Sequence, residues 1–226
     1  MNYKTLLTGV VAGLAVMVST MRAETFLRAA DYAPTEIGLT LHYRDIDGYP
    51  GETPYVLTEV ITLTTITEEN GAKLILFEGS DSDGDAVSYR YRLGPDGWQS
   101  LSYRYADWVT EYTKPYFVLP ATFKLGEAFT FDWVSQEEDD DSVFEQKGTE
   151  TMTFVGLETI WTPAGLLEDC LKVTITYSTS DSDGGEYSGR STAWFAKGLG
   201  RVLERWYEDD GYRGQSRLIR VESASR

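Results

Sequence analysis

The chain has 226 residues, with 36 acidic against 20 basic side chains, one histidine and one cysteine. So large an excess of negative charge repels polyphosphate backbones and anionic headgroups, which excludes a nucleic-acid partner. A single cysteine allows no intramolecular disulfide, and one histidine with one cysteine cannot build a histidine-rich or cysteine-type zinc centre.

Residues 1–23 read as a secretory signal peptide: Lys4, an apolar run from Leu6 to Val18, and Ala23 at the end. The run is too short to span a bilayer comfortably. The mature chain is therefore expected to start near Glu24, in the periplasm or outside the cell, with no integral membrane span. No cysteine follows the apolar run to carry a lipid. Removing Lys4 and Arg22 leaves 18 basic against 36 acidic residues. Residues 24–226 suffice for a single β domain with its own core, and no linker-like composition divides them.

Glu24 to Tyr32 is expected to form two helical turns, with Phe26, Leu27 and Ala30 on one side. Ile37, Leu39, Leu41 and Tyr43 then alternate with Gly38, Thr40, His42 and Arg44, the period of a half-buried strand. This phase puts His42 on the polar face, as a surface histidine and not a member of a catalytic triad. Tyr55 to Ile66 is rich in β-branched residues, but its apolar side chains do not keep to one face, which predicts a bulge or burial on both faces. Asn70-Gly71 is the strongest hairpin turn in the chain.

Ala86 to Leu93 and Trp98 to Tyr105 read as strands, and in the first Tyr89, Tyr91 and Leu93 oppose Arg90 and Arg92. The pattern loosens from Ala106 to Lys124 around Pro115 and Pro120. It recovers from Glu127 to Val134, where Phe129, Phe131 and Trp133 face one way. The five consecutive acids Glu137 to Asp141 are expected to be solvated. Glu150 to Ile160 follows, then Leu171, Val173, Ile175 and Tyr177 at spacing two, a turn at Asp183-Gly184, and runs at Glu186 to Ala196, Arg201 to Tyr207 and Tyr212 to Val221. No helix is long enough to cover these ten to twelve strands. The sheet must therefore cover its own apolar face, curled into a barrel or half-barrel or folded into a sandwich, and the fold expected is all-β, a single curved antiparallel sheet in a half-barrel or barrel, with at most short helices.

Three segments together carry a resemblance. They are Pro120 to Gly126 before Phe129, Phe131 and Trp133; Thr162-Pro163-Ala164-Gly165 before Cys170-Leu171-Lys172-Val173; and Trp194-Phe195-Ala196-Lys197-Gly198-Leu199-Gly200-Arg201-Val202. The second half of the chain thereby resembles a set of uncharacterised secreted bacterial β proteins. It departs from them at Leu167, where an aromatic is common. The resemblance implies an antiparallel sheet curved around a helix or short plug, similar in outline to the periplasmic lipoprotein-carrier half-barrels.

Three functions are compatible with these residues. The first is a non-enzymatic binding module that holds an apolar small molecule or an envelope protein on a concave face lined by Tyr89, Tyr91, Phe129, Phe131 and Trp133. The second is calcium binding at an Asp-x-Asp-Gly turn. That core occurs at Asp45-Asp47, Asp81-Asp83 and Asp181-Asp183, and Asp81, Asp83 and Asp85 form the best candidate, although none has a complete twelve-residue calcium loop. The third is a carboxylate-dependent glycoside hydrolase, which needs two acids beside an aromatic platform. No other cofactor is indicated, and Cys170 reads as a small buried side chain.

Overall fold

The computed structural model describes residues 26–138 and 142–223. The expected signal peptide and Asp139, Asp140 and Asp141 lie outside them. The described chain opens with β1 (Leu27–Arg28) and the single turn α1 (Ala29–Tyr32), followed by β2 (Thr40–Gly48), β3 (Tyr55–Glu69), β4 (Ala72–Asp81), β5 (Ala86–Gly94), β6 (Gly97–Tyr105) and β7 (Trp108–Pro120). Then come β8 (Thr122–Phe123), β9 (Ala128–Glu138), β10 (Val143–Thr162), β11 (Gly165–Asp181), β12 (Glu186–Ala196), β13 (Gly200–Glu208) and β14 (Arg213–Glu222). Twelve strands, β2 to β7 and β9 to β14, close into one antiparallel barrel as β14 pairs with β2 and β7 with β9. Closure is how a sheet without covering helices shields its apolar face and leaves no long free edge.

Local chemistry explains the hairpins. Asn70 (φ 51°) and Gly71 (φ 77°) both take the positive dihedrals of a tight turn that matches strand twist. The irregular pattern in β3 is a bulge, with a break in register between Leu63 and Thr65 opposite β4. Interior glycines lie under aromatic rings of the neighbouring strand: Gly148 pairs with Trp133, and Gly214 with Trp206. A Cβ at Gly148 would come 2.7 Å from the Trp133 ring, so the strands coil more tightly there than side chains would allow.

Successive hairpins alternate between the two ends of the barrel. At one end lie the Asp-rich turns after β4, β11 and β13. At the other, β1 pairs with β8 and α1 forms a plug. The Ala29 N–H donates to the Ala121 carbonyl (3.1 Å), and the Gly198 N–H to the Asp31 carbonyl (3.0 Å). Ala29, Tyr32 and Ala33 are buried, and beneath them Phe123 stacks on Phe154 with ring centroids 4.2 Å apart.

Three expectations are corrected. The N-terminal helix is one turn instead of two, because Leu27 and Arg28 are taken up in pairing with β8. Its buried residues are Ala29 and Tyr32, whereas Phe26 is 57% exposed. The loosened segment from Ala106 to Lys124 contains a thirteen-residue strand, β7, which stays paired with β6 on both sides of the exposed Pro115. Finally, Glu137 is buried. The alternation of Phe131, Trp133 and Ser135 continues to it, and pairing with Thr110 on one side and Phe144 on the other encloses it. That burial raises its carboxyl pKa.

Candidate functional site

Toward the plug the interior is dry: Leu119, Phe154, Leu171, Val173 and Phe195 are almost wholly inaccessible. Farther along the axis the packing opens. Tyr43, Tyr89, Tyr91, Tyr103, Tyr112 and Tyr116 turn inward from β2, β5, β6 and β7 but stay partly accessible. Among them points Arg201, whose side chain is 51% accessible although it interacts with Tyr91, Tyr43 and Tyr116. A side chain half accessible inside a closed wall requires water-sized space beside it. The lumen at this level is therefore a chamber whose walls are phenol rings.

A bulge puts Arg201 there. On β12 the consecutive residues Trp194 and Phe195 pair with Leu203 and Arg201, so Val202 is the extra residue on β13. The phase shift brings Arg201 and Glu204 to the same face, where they form an ion pair. The Glu204 carboxylate favours the charged guanidinium and outweighs its burial, so the Arg201 pKa is raised further. The Tyr43 hydroxyl donates to the Arg201 carbonyl at 2.8 Å.

Two carboxyl groups sit in the wall, each 6% exposed. Glu59 accepts from the Tyr89 hydroxyl at 2.8 Å, and Glu150 from Tyr116 at 3.3 Å. Burial pushes both up to about 7, because it disfavours the anion more than the phenol hydrogen bond favours it. Burial also lifts the Tyr91 phenol to about 12. Near neutral pH the chamber thus offers aromatic faces, hydroxyls, two carboxyls near half-protonation and one guanidinium.

The five aromatic residues singled out in the sequence all turn inward, in two groups. Tyr89 and Tyr91 stack at 6.2 Å, and Tyr91 meets Trp98 at 5.5 Å. Phe129, Phe131 and Trp133 line the junction of β9 with β7, where Tyr116 lies 5.7 Å from Phe131 and 5.9 Å from Trp133. Sequence reasoning missed Tyr43, Tyr103, Tyr112, Tyr116, Glu59, Glu150, Arg201 and Glu204. The available signal was a charged residue at an inward phase of an otherwise apolar strand, as Glu59 is beside Ile61.

The Asp-x-Asp-Gly turns after β4 and β11 are built alike. Asp81 Oδ1 accepts from the Asp83 and Asp85 N–H groups, each at 2.9 Å, and Oδ2 from the Tyr105 hydroxyl at 2.5 Å. Asp181 Oδ1 likewise accepts from the Asp183 and Gly185 N–H groups at 3.0 and 2.7 Å. The Tyr105 hydrogen bond, followed by desolvation in the opposite sense and the backbone donors, leaves Asp81 below the usual carboxylate range. Asp83 and Asp85 are exposed. Among the described residues no three His, Cys, Asp or Glu side chains gather into a cation site. Because these carboxylates already cap their own turns, millimolar calcium is expected to leave the melting temperature unchanged. A rise in calcium that a chelator reverses would instead assign an ion to the loop. His42 points outward and bonds Glu222 at 2.9 Å, and Cys170 is fully buried.

The class defined by fold and chamber is a plugged, closed twelve-strand antiparallel barrel with a tyrosine-lined lumen. No family model matches the chain, and no curated protein matches it. It is similar to the solved structure of a protein from Bacteroides fragilis that is predicted to be exported and has a YmcC-like fold, at 17% identity and a TM-score of 0.63 over 86% of this chain and 100% of that one. It is also similar to a predicted lipoprotein from Parabacteroides distasonis, at 13% identity and a TM-score of 0.61 over 85% of this chain and 99% of that one. At such identities the likeness is one of fold.

Proposed function

We propose that this chain is a non-enzymatic binding module of the bacterial envelope, periplasmic or extracellular, that holds a small apolar or amphiphilic molecule in its lumen. The observation that carries this is the half-accessible Arg201 inside a ring of tyrosines. Aromatic walls with a few converging polar groups are the usual chemistry of a small-molecule pocket. The signal-like N-terminus and the two fold neighbours predicted to be exported or lipoproteins support the compartment.

Native mass spectrometry of protein purified from its source tests the proposal. A bound molecule of small mass, released on denaturation, is expected. Tyr91→Ala is expected to weaken its retention by about tenfold or more, the equivalent of roughly 1.4 kcal/mol of lost ring contact. A ligand-free chain under all conditions would contradict the proposal. Glu59 and Glu150 favour a second reading as a glycoside hydrolase, because both are buried carboxyls poised near neutrality in an aromatic chamber. That reading requires Glu59→Gln or Glu150→Gln to abolish sugar release from a polysaccharide.

A further inference from the structure

The barrel wall is not hydrogen-bonded along its full height. β7 and β9 pair from Val109 opposite Glu138 as far as Lys114 opposite Val134, and there the ladder stops. Below that point β7 continues to Pro120 and β9 back to Ala128, each still paired on its other side, to β6 and β10. Pro115, which has no N–H to donate, stands where the strands part.

The gap is filled by rings. Phe117 meets Phe129 at 5.2 Å and Phe131 at 5.4 Å, all near edge-on, and Tyr116 meets Phe131 at 5.7 Å. Phe117 and Phe129 are only partly buried. In β9 the backbone leaves one set of peptide groups facing this seam. The Phe154 N–H donates to the Glu127 carbonyl, so the two-residue alternation turns the Phe129 and Phe131 peptides toward β10 and those of Ala128, Thr130 and Asp132 toward β7. Those residues are exposed and have no partner in the β7–β9 ladder.

We infer that this aromatic seam is a lateral portal through which an apolar ligand enters the lumen. The inference rests on the proposed lumenal binding. Opening it breaks ring contacts and one solvent-exposed ion pair, Lys114 Nζ with Asp132 at 3.2 Å, but no ladder hydrogen bonds, so the wall separates there at low cost. The alternative route, the unplugged end, runs past the rim carboxylates Asp47, Asp83, Asp85, Glu138 and Asp183, against which an apolar chain gains nothing. Ring edges that part and close behind a hydrocarbon suit the same chain that the tyrosine chamber accepts. Tyr116 belongs to both, donating to Glu150 inside and touching Phe131 at the seam.

The test measures the uptake rate of a fluorescent dodecyl probe by the full chain carrying Phe117→Cys and Phe129→Cys, before and after joining the two by a short bis-maleimide. Joining is expected to slow entry by at least about tenfold while the final extent of binding changes little. The same link at Thr130→Cys and Thr151→Cys, across the continuous β9–β10 ladder, is expected to leave the rate unchanged. An unchanged rate in the seam-linked protein would overturn the portal while leaving lumenal binding intact. No uptake by the unmodified chain would overturn both. Hydrogen exchange on the unmodified chain gives an independent check. The Ala128, Thr130 and Asp132 amides are expected to exchange at least about a hundredfold faster than those of Phe129 and Phe131, and equal protection would show the seam to be closed.

Discussion

Phe154→Ala is expected to lower stability by about 3–5 kcal/mol, the range for emptying a buried aromatic site. The ring is 1% exposed and stacks on Phe123, which in turn packs under Tyr32 of the plug. The Phe154 backbone also bonds both Gly126 and Glu127, so the strand is held in place and cannot collapse into the void. For a domain of this size the loss corresponds to a fall in Tm of about 10 °C or more, measured by thermal circular dichroism. Phe26→Ala, at a ring that is 57% exposed just outside the plug, is expected to cost no more than about 0.5 kcal/mol. Equal losses at the two positions would mean that the plug is not seated as described.

The second large effect depends on pH. Glu59 and Glu150 have folded-state pKa values of about 7 against an ordinary 4.5. The folded chain therefore holds protons that the unfolded chain releases. The stabilisation is complete below about pH 4.5 and is lost as pH rises through 7. A shift of this size is worth up to about 3 kcal/mol at each group, which both approach because water is nearly excluded. Glu59→Gln with Glu150→Gln keeps an acceptor for Tyr89 and Tyr116 and removes the ionisation. The double variant is expected to melt about 12 °C or more above the parent at pH 8.5 and close to it at pH 4.5. The same difference at both pH values would show that these carboxyls are not desolvated.

Arg201 moderates that cost, since its charge lowers the Glu59 pKa. Arg201→Met is expected to steepen the alkaline loss of stability. The size is modest because half of the guanidinium side chain is in contact with water.

Much of the barrel was legible in the chain. Alternation marked the inward faces of β2, β5, β9 and β11, and Asn70-Gly71 and Asp183-Gly184 marked hairpins, because period two and positive φ are local properties. That the sheet must cover its own apolar face followed from the lack of a covering helix, whereas full closure, by pairing of β14 with β2 and of β7 with β9, did not. What escaped was set by pairing between distant strands. The bulge at Val202 reverses the phase of Arg201, and nothing in the neighbouring letters announces it. Glu137 looked solvated within its acidic run, yet it lies inside because β7 and β10 both reach that far. Pro115 read as a break, and it does interrupt pairing, with β9 beyond Lys114 and with β6 between Glu111 and Tyr116, yet the strand itself runs on to Pro120. The five aromatics chosen from sequence do face the interior. Beyond Tyr89 and Tyr91 the polar half of the chamber escaped, because its other tyrosines and acids come from six strands.

The chamber itself is tested most directly by an experimental structure of the chain purified from its source. Density beside Arg201, from a bound molecule or ordered solvent enclosed by Tyr43, Tyr91 and Tyr116, is the expected result. A guanidinium packed dry among those rings, with no space along the axis, would contradict a ligand-holding lumen.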